Sequence, residues 1–330
     1  VVQRACGLTR ERKHFNMMNA KTRIFLTGGS GMVGHNILEH PAAKNYEFFA
    51  PDIPELDLFS YEAVKAYIER TKPDLVIHAA GRVGGIQANM AQPVAFLLEN
   101  LDMGRNLVWA SRKCGVKKLI NLGSSCMYPR NAPNPLKEEM VLQGELEPTN
   151  EGYALAKTVV SRLCSYIGKE SPEFRYKTLV PCNLYGRWDK FSPEHSHMIP
   201  AVIRKIHLAK INGDKTVEIW GDGLARREFM YAGDIADCIH KAVTDFDRMP
   251  ELMNVGLGGD HSVNEYYQAV AEVVGYTGSF THDLTKPAGM ARKLIDTSRL
   301  NAWGWKPATT LKDGIAASYE FFKANYGDKK

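Results

Sequence analysis

The chain has 330 residues, 44% of them hydrophobic and 24% charged, with a formal net charge of +5. That length serves one large α/β domain or two unequal ones, and a charge this slight, interleaved in sign after residue 20, argues against a nucleic-acid partner and mildly for a small anionic ligand. No apolar run is long enough to cross a bilayer, and the six cysteines include no C-x-x-C pair, so the thiols read as reduced in a cytoplasmic protein with neither zinc knuckle nor other metal.

Residues 1–20 hold several basic side chains and one acid, Glu11, without the apolar core of a secretory signal. We read them as a disordered leader or expression remnant outside the fold, with a true start near Met17 or Met18. Beyond them strand and helix alternate. Arg23–Thr27 is short, apolar and β-rich, Gly28–Gly34 is a glycine turn, and a helix runs to about His40. Tyr46–Phe49 is a second strand. Ala63, Val64, Tyr67 and Ile68 recur at helical spacing within Tyr61–Arg70, Pro73 closes that helix, and Asp74–His78 is a third strand. A long helix covers Pro93–Lys113, Lys118–Leu122 is a fourth strand, Gly152–Gly168 a helix and Tyr176–Val180 a fifth strand. This alternation makes a parallel sheet covered on both faces, a Rossmann-type doubly wound α/β fold. After residue 181 the loops lengthen, and the helices Met198–Ala209, Asp234–Asp245 and Asn264–Gly275 are separated by short strands such as Thr216–Trp220. The expected division is a dinucleotide-binding domain over 21–181 and a smaller mixed α/β substrate domain over 182–330, with late segments free to return to the first.

Gly28, Gly31 and Gly34 stand at G-x-x-G-x-x-G spacing between a strand and a helix. The first permits the tight turn, the second lets backbone approach a pyrophosphate, and the third lets the helix pack against the strand with its N–H groups aimed at phosphate. An ordinary βα turn shares the spacing; the strand–turn–helix placement is what selects dinucleotide binding by Gly28, Ser30, Gly31, Met32, Val33 and Gly34. Asp57 and Leu58 lie past the second strand, where an adenine stacks, although a helix N-cap explains Asp57 equally well. Ala79-Ala80-Gly81 supplies small residues where backbone nears a ribose or phosphate, with close packing at a strand end as the competing explanation.

Tyr153-Ala-Leu-Ala-Lys157 places a phenol and an ammonium on one helix face. The ammonium is expected to lower the Tyr153 pKa, so that the phenol gives a proton to a carbonyl oxygen as hydride reaches carbon. Ser124, in Gly123-Ser-Ser-Cys126, stands at the carboxyl edge of the sheet, where a hydroxyl can bond the same oxygen. A Y-x-x-x-K pair alone is usually a surface helix face; the glycine loop, Ser124 and the pair in this order point to a nicotinamide-dependent oxidoreductase.

With these residues the chain resembles the short-chain dehydrogenase/reductase superfamily, in its extended branch acting on nucleotide sugars, and more closely the GDP-L-fucose synthase family. The likeness is carried by Val83–Ile86 with Asn89, Leu122–Pro129, Gly144–Asn150, Tyr153–Lys157, Pro181–Gly186, His195–Pro200, Ile219–Gly223, Arg226–Phe229 and Arg292–Asp296, and it covers nearly everything from residue 22 onward. It implies an NADP(H)-dependent oxidoreductase and epimerase that takes GDP-4-keto-6-deoxy-D-mannose to GDP-L-fucose. The ketone acidifies the C–H bonds at C3 and C5, and inversion needs a base on one face and an acid on the other. The family's cysteine and histidine fall on Cys126 and His197, with His195 an adjacent decoy; on their own these would read as an inert buried thiol and a helix N-terminal hydrogen-bonding group. Tyr153 then protonates the C4 oxygen, Ser124 orients it, and Lys157 holds the tyrosine and the ribose. The resemblance adds Pro181, Leu184 and His197 to the coenzyme set. It makes Ser125, Asn183, Lys205, Trp220, Arg227 and Lys293 the sugar-nucleotide clamp, with a surface salt bridge to Glu228 as the alternative for Arg227.

The chain departs from bacterial members in carrying Ser30 in the glycine loop and no cation in Phe49–Pro54, where Asp52 suits a free ribose hydroxyl. NADP(H) is still expected, because similar GGSG loops occur in members that use it. Relatives that make GDP-L-colitose from a substrate lacking the 3-hydroxyl are the alternative. A pure C4 reductase has no use for Cys126 and His197, and a non-catalytic NAD(P)-binding regulator has none for Ser124, Tyr153 and Lys157. The family also implies a homodimer, joined by a four-helix bundle of the 93–113 and 152–168 helices of each subunit. Phe96, Leu97, Leu107 and Val108 permit it, and core packing explains them equally well.

Overall fold

Side-chain alternation in the first strand sets the architecture. In β1 (Thr22–Thr27) Ile24 and Leu26 enter one core while Phe25 enters another, so the strand is buried on both faces. The computed structural model describes residues 21–192, 196–286 and 290–327; the leader and His195 lie outside them. After β1 come α1 (Met32–Glu39), β2 (Tyr46–Phe49), α2 (Tyr61–Thr71), β3 (Leu75–His78), α3 (Ile86–Ala91), α4 (Pro93–Lys113), β4 (Lys118–Leu122), α5 (Glu151–Glu170) and β5 (Arg175–Pro181). Local signals account for the ends. Ser60 caps α2 by accepting from Ala63 N, and Lys72 closes it in a left-handed conformation with φ 44°.

The second half runs β6 (Asn183–Tyr185), α6 (Met198–Asn212), β7 (Thr216–Trp220), β8 (Arg226–Arg227), β9 (Phe229–Tyr231), α7 (Ala232–Thr244), β10 (Leu252–Val255), β11 (His261–Ser262), α8 (Val263–Val274), β12 (Ser279–Asp283), β13 (Arg292–Lys293), α9 (Ser298–Trp303) and α10 (Leu311–Tyr326). A reciprocal capping box between Ser262 and Glu265 starts α8, and Gly275 ends it with φ 72°.

The main sheet has six parallel strands in the order β10-β5-β4-β3-β1-β2. Val64, Ile68, Leu107, Val108 and Val160 from α2, α4 and α5 cover one face; Ile37, Ile235 and Ile239 from α1 and α7 cover the other. A third core unites Ile199, Ile203 and Ile206 of α6, Val217 and Ile219 of β7, Tyr266 and Val270 of α8, and Ile315, Tyr319 and Phe322 of α10. After β6–β9 have entered the second lobe, α7, β10 and α9 return to the first core, the course left open to the late segments. The physical reason is that β5 would otherwise be an unpaired hydrophobic edge.

Glu228 lies between β8 and β9 with 0% exposure, and its carboxylate accepts from Leu257 N at 2.6 Å, Gly258 N at 2.9 Å and Ile295 N at 3.0 Å. Burial pushes its pKa up to about 7 against the pull of those three N–H groups. A carboxyl raised in the folded chain contributes stability below its unfolded value of 4.5, and this is lost as pH rises through about 7. The stability difference between wild type and Glu228→Gln should therefore move against wild type by on the order of 3 kcal/mol across that window, read from urea midpoints. A difference constant with pH would mean that Glu228 ionises as an exposed carboxylate does.

Candidate active site

The chain doubles back at β1 and β3, where adjacent strands lead to helices on opposite faces of the sheet and leave a crevice at their carboxyl ends. Gly28 has φ 73°, and a Cβ there would sit 2.7 Å from Ala80 N; one on Gly34 would sit 2.1 Å from Gly28 O. Both positions therefore require glycine. Helix α1 starts at Gly31 with no side-chain cap and no acid in its first turn, so its N–H groups are unspent and face no competing negative charge. Ser30 and Gly31 are exposed at this mouth, Met32 and Val33 half-buried. A dinucleotide diphosphate fits such a cradle. Ala80 N donates to Thr27 Oγ1, which bonds His78 Nδ1 at 2.9 Å, and burial with Lys157 nearby pushes His78 down to about 3, a neutral imidazole. Half-buried Leu58 packs against the core, whereas Asp57 accepts from Phe59 N at 2.9 Å in the turn before α2, and Ser60 is the cap. Asp57 is therefore a turn residue and not the helix N-cap that its position also allowed.

Lys157 is buried at 7% exposure and donates to Leu122 O at 3.0 Å, pinning α5 to the end of β4. Burial lowers its pKa to about 8. One turn earlier, Tyr153 bonds Ser124, and Ser124 Oγ accepts from Cys126 N at 3.2 Å. The expected effect on Tyr153 is reversed. Burial and Cys126 push the phenol up, Ser124 alone pulls it down, and the Lys157 ammonium lies 5.8 Å from the ring centroid while bonded to a carbonyl. Tyr153 is thereby held protonated. Cys126 Sγ receives two donors, Asn150 Nδ2 at 3.2 Å and Lys293 Nζ at 3.4 Å.

His197 immediately precedes α6 and makes no side-chain cap bond. Its Nδ1 is 4.0 Å from Asp189 Oδ1, and Asp189 is buried with Oδ2 unpartnered among the described residues. The Ser196 carbonyl lies against Gly85, and α3 packs on the turn at 148–150, so the His197 loop and the Cys126 turn are joined through one segment. The loop is also tied to α1. Trp188, at φ 67°, stacks on His35 with centroids 3.8 Å apart and donates to Glu39 Oε1 at 2.9 Å.

Among the clamp residues, Lys293 pairs with Arg227 between β13 and β8, and Asn183 Nδ2 donates to Glu228 O at 3.0 Å. Arg227 is not the surface partner of Glu228. Burial pushes its pKa down while Glu147 pulls it up, and the Glu228 carboxylate is spent on backbone N–H groups. Lys205 and Trp220 gather at Glu218, Lys205 donating to its carbonyl and Trp220 Nε1 to its carboxylate at 3.2 Å. Ser125 is buried beside Cys126, and Pro181 and Leu184 flank the end of β5. Asn100, Asn150 and Asp189 were not singled out from sequence. Asn100, buried on α4, accepts from Arg82 N at 3.0 Å and so fixes the backbone beside Lys157.

Residues 24–256 match the NAD dependent epimerase/dehydratase family. The GDP-L-colitose synthase of Yersinia pseudotuberculosis is 53% identical over 300 residues, covering 91% of this chain and 97% of that protein. The GDP-L-fucose synthase of Azorhizobium caulinodans is 50% identical, covering 92% and 97%. A GDP-mannoheptose C4 reductase from Campylobacter jejuni, solved with NADP bound, superposes with a TM-score of 0.84 at 32% identity, over 92% of this chain and 98% of that one.

The five described cysteines are all free. Burial pushes the Cys164 thiol up to about 12 and raises Cys182, Cys238 and half-buried Cys114. Iodoacetamide at neutral pH should therefore label Cys126 first among them, and Lys293→Met should slow that labelling by roughly threefold to tenfold, read by peptide mass. Equal labelling in the variant would remove Lys293 from the sulfur.

Proposed function

The chain belongs to the NAD dependent epimerase/dehydratase family, and from that premise we propose that it converts GDP-4-keto-6-deoxy-D-mannose to GDP-L-fucose, inverting C3 and C5 and reducing the C4 ketone with NADPH. The observation that carries this reading is the meeting of Cys126 with Tyr153 and Ser124 at one sheet edge. A proton-exchanging thiol beside a proton-donating phenol suits a sugar that is both epimerised and reduced.

NADPH, when bound, supplies the hydride for C4. The chain's own groups do the rest. Cys126 and His197 take and return the protons at the carbons flanking the ketone, and Asp189 lies beside His197 to orient it. Tyr153, held protonated by burial, gives its proton to the C4 oxygen; Ser124 bonds that oxygen and the phenol. Lys157 holds α5 against Leu122 O and offers its charge to the ribose. Arg227 and Lys293, adjacent in their sheet, suit the sugar-nucleotide diphosphate.

A second reading, C5 inversion and C4 reduction of the 3-deoxy substrate, is favoured by the 53% identity to a GDP-L-colitose synthase. Mixing the protein with NADPH and each ketone decides between them. We expect NADPH oxidation with GDP-4-keto-6-deoxy-D-mannose and GDP-L-fucose as the product by NMR; turnover confined to the 3-deoxy ketone would select the second reading. Tyr153→Phe should cut turnover by about 10² or more while NADPH binding stays within about threefold. Retained turnover would exclude Tyr153 as the acid.

We also place the enzyme in the cytoplasm as a homodimer; the free cysteines suit a reducing compartment, and no helix among the described residues is long and apolar enough to cross a membrane. Core packing, the alternative explanation of Phe96, Leu97, Leu107 and Val108 on α4, accounts for three of those four. Phe96, Leu107 and Val108 are core, at 2%, 0% and 0% exposure. The outward stripe is Val94, Leu98 and Trp109 on α4 with Leu155, Val159 and Tyr166 on α5, at helical spacing and all exposed. Two copies of this pair make the proposed four-helix bundle. Sedimentation should give a dimer for wild type and a monomer for Val159→Glu; an unchanged mass in the variant would put the interface elsewhere.

A further inference from the structure

We propose that Asn150 is the positioning residue for the proton-exchange half of the reaction, fixing the Cys126 sulfur against the substrate carbon and taking no part in the hydride half; this rests on the reading of Cys126 as an acid–base group. Asn150 occupies the N-cap position of α5, where an asparagine oxygen ordinarily accepts from a first-turn N–H. It makes no such bond. Its Nδ2 donates instead to Cys126 Sγ at 3.2 Å, and its Oδ1 is buried without a partner among the described residues. The fold thus forgoes a helix cap and leaves a buried acceptor unsatisfied, two costs that packing does not explain.

The placement has a chemical use. Lys293 approaches the same sulfur at 3.4 Å from β13, so two N–H donors from distant parts of the chain converge on it. Asn150 stands at the N-cap position of the helix that carries Tyr153, three residues on, which ties the sulfur to the phenol. In the exchange step the substrate C–H bond breaks, an S–H bond forms, and the electron pair passes onto the ketone as an enolate; reprotonation of carbon reverses the flow. A sulfur free to rotate would meet that carbon in fewer orientations, and hydride delivery at C4 would be untouched.

Asn150→Asp and Asn150→Ser test this, since both keep a good N-cap residue and remove the amide donor. Three readouts are needed: thermal stability, iodoacetamide labelling of Cys126, and deuterium uptake from solvent at C3 and C5 set against NADPH oxidation with a ketone already inverted at both carbons. We expect Tm unchanged or higher, labelling in Asn150→Asp slowed about tenfold, deuterium uptake lowered roughly thirtyfold or more, and hydride transfer to the inverted ketone within about threefold. Unchanged labelling and uptake would overturn the proposal, as would loss of exchange and hydride transfer together with a lowered Tm, the mark of a merely structural role. If wild type takes up no deuterium the proposed reaction fails on its own account, and the labelling comparison still decides whether Asn150 holds Cys126.

Discussion

One buried ammonium holds the candidate site together. Lys157 is almost without solvent and donates a hydrogen bond to the carbonyl of Leu122, the last residue of a central strand. That bond fixes α5 against the end of β4. Everything the chemistry needs follows from it: Tyr153 is one turn up the same helix, and Ser124 and Cys126 are the first residues past the same strand. Burying an ammonium is costly, and its lowered pKa reports the cost. The fold bears it because a carbonyl at a strand end has no ladder partner beyond and accepts the ammonium without losing a bond elsewhere.

The same desolvation sets the proton inventory around it. Half-buried Tyr153 and buried His78, both near Lys157, are pushed toward their neutral forms by desolvation. A dry site with neutral donors strengthens every hydrogen bond a bound ketone would receive. In the proposed reaction the phenol would therefore act as the protonated acid, in place of a tyrosinate prepared in advance by its lysine neighbour.

Local signals made the frame legible in sequence. The strands at 46–49, 118–122 and 216–220 and the helix at 93–113 are bounded as their residues suggest, because turn residues and periodicity both act over short range. The glycine turn and the Tyr153/Lys157 face are likewise local patterns. What escaped is non-local. Glu228, beside two arginines, reads as a surface charge, yet its carboxylate is wanted by N–H groups at 257, 258 and 295. The donors to Cys126 arrive from 150 and 293. Periodicity marks α4 as apolar without saying which of two stripes meets its own core, so Phe96 and Leu107 suit an interface and core packing equally well until their burial places them in the core. The last helix had a readable signal in Ile315, Tyr319 and Phe322, spaced four and three apart, and was missed all the same.

The return of the chain to its first sheet bears on how the molecule is made. β5 stays an open, hydrophobic edge until Leu252–Val255 has been synthesised and laid beside it. By then β6–β9 and α6 have already left the first core. The two lobes therefore cannot mature one after the other as beads on a string. A nascent chain that stalls between 182 and 251 presents a sticky strand to its surroundings, and a nick or truncation there should injure coenzyme binding as surely as it injures the lobe in which it falls.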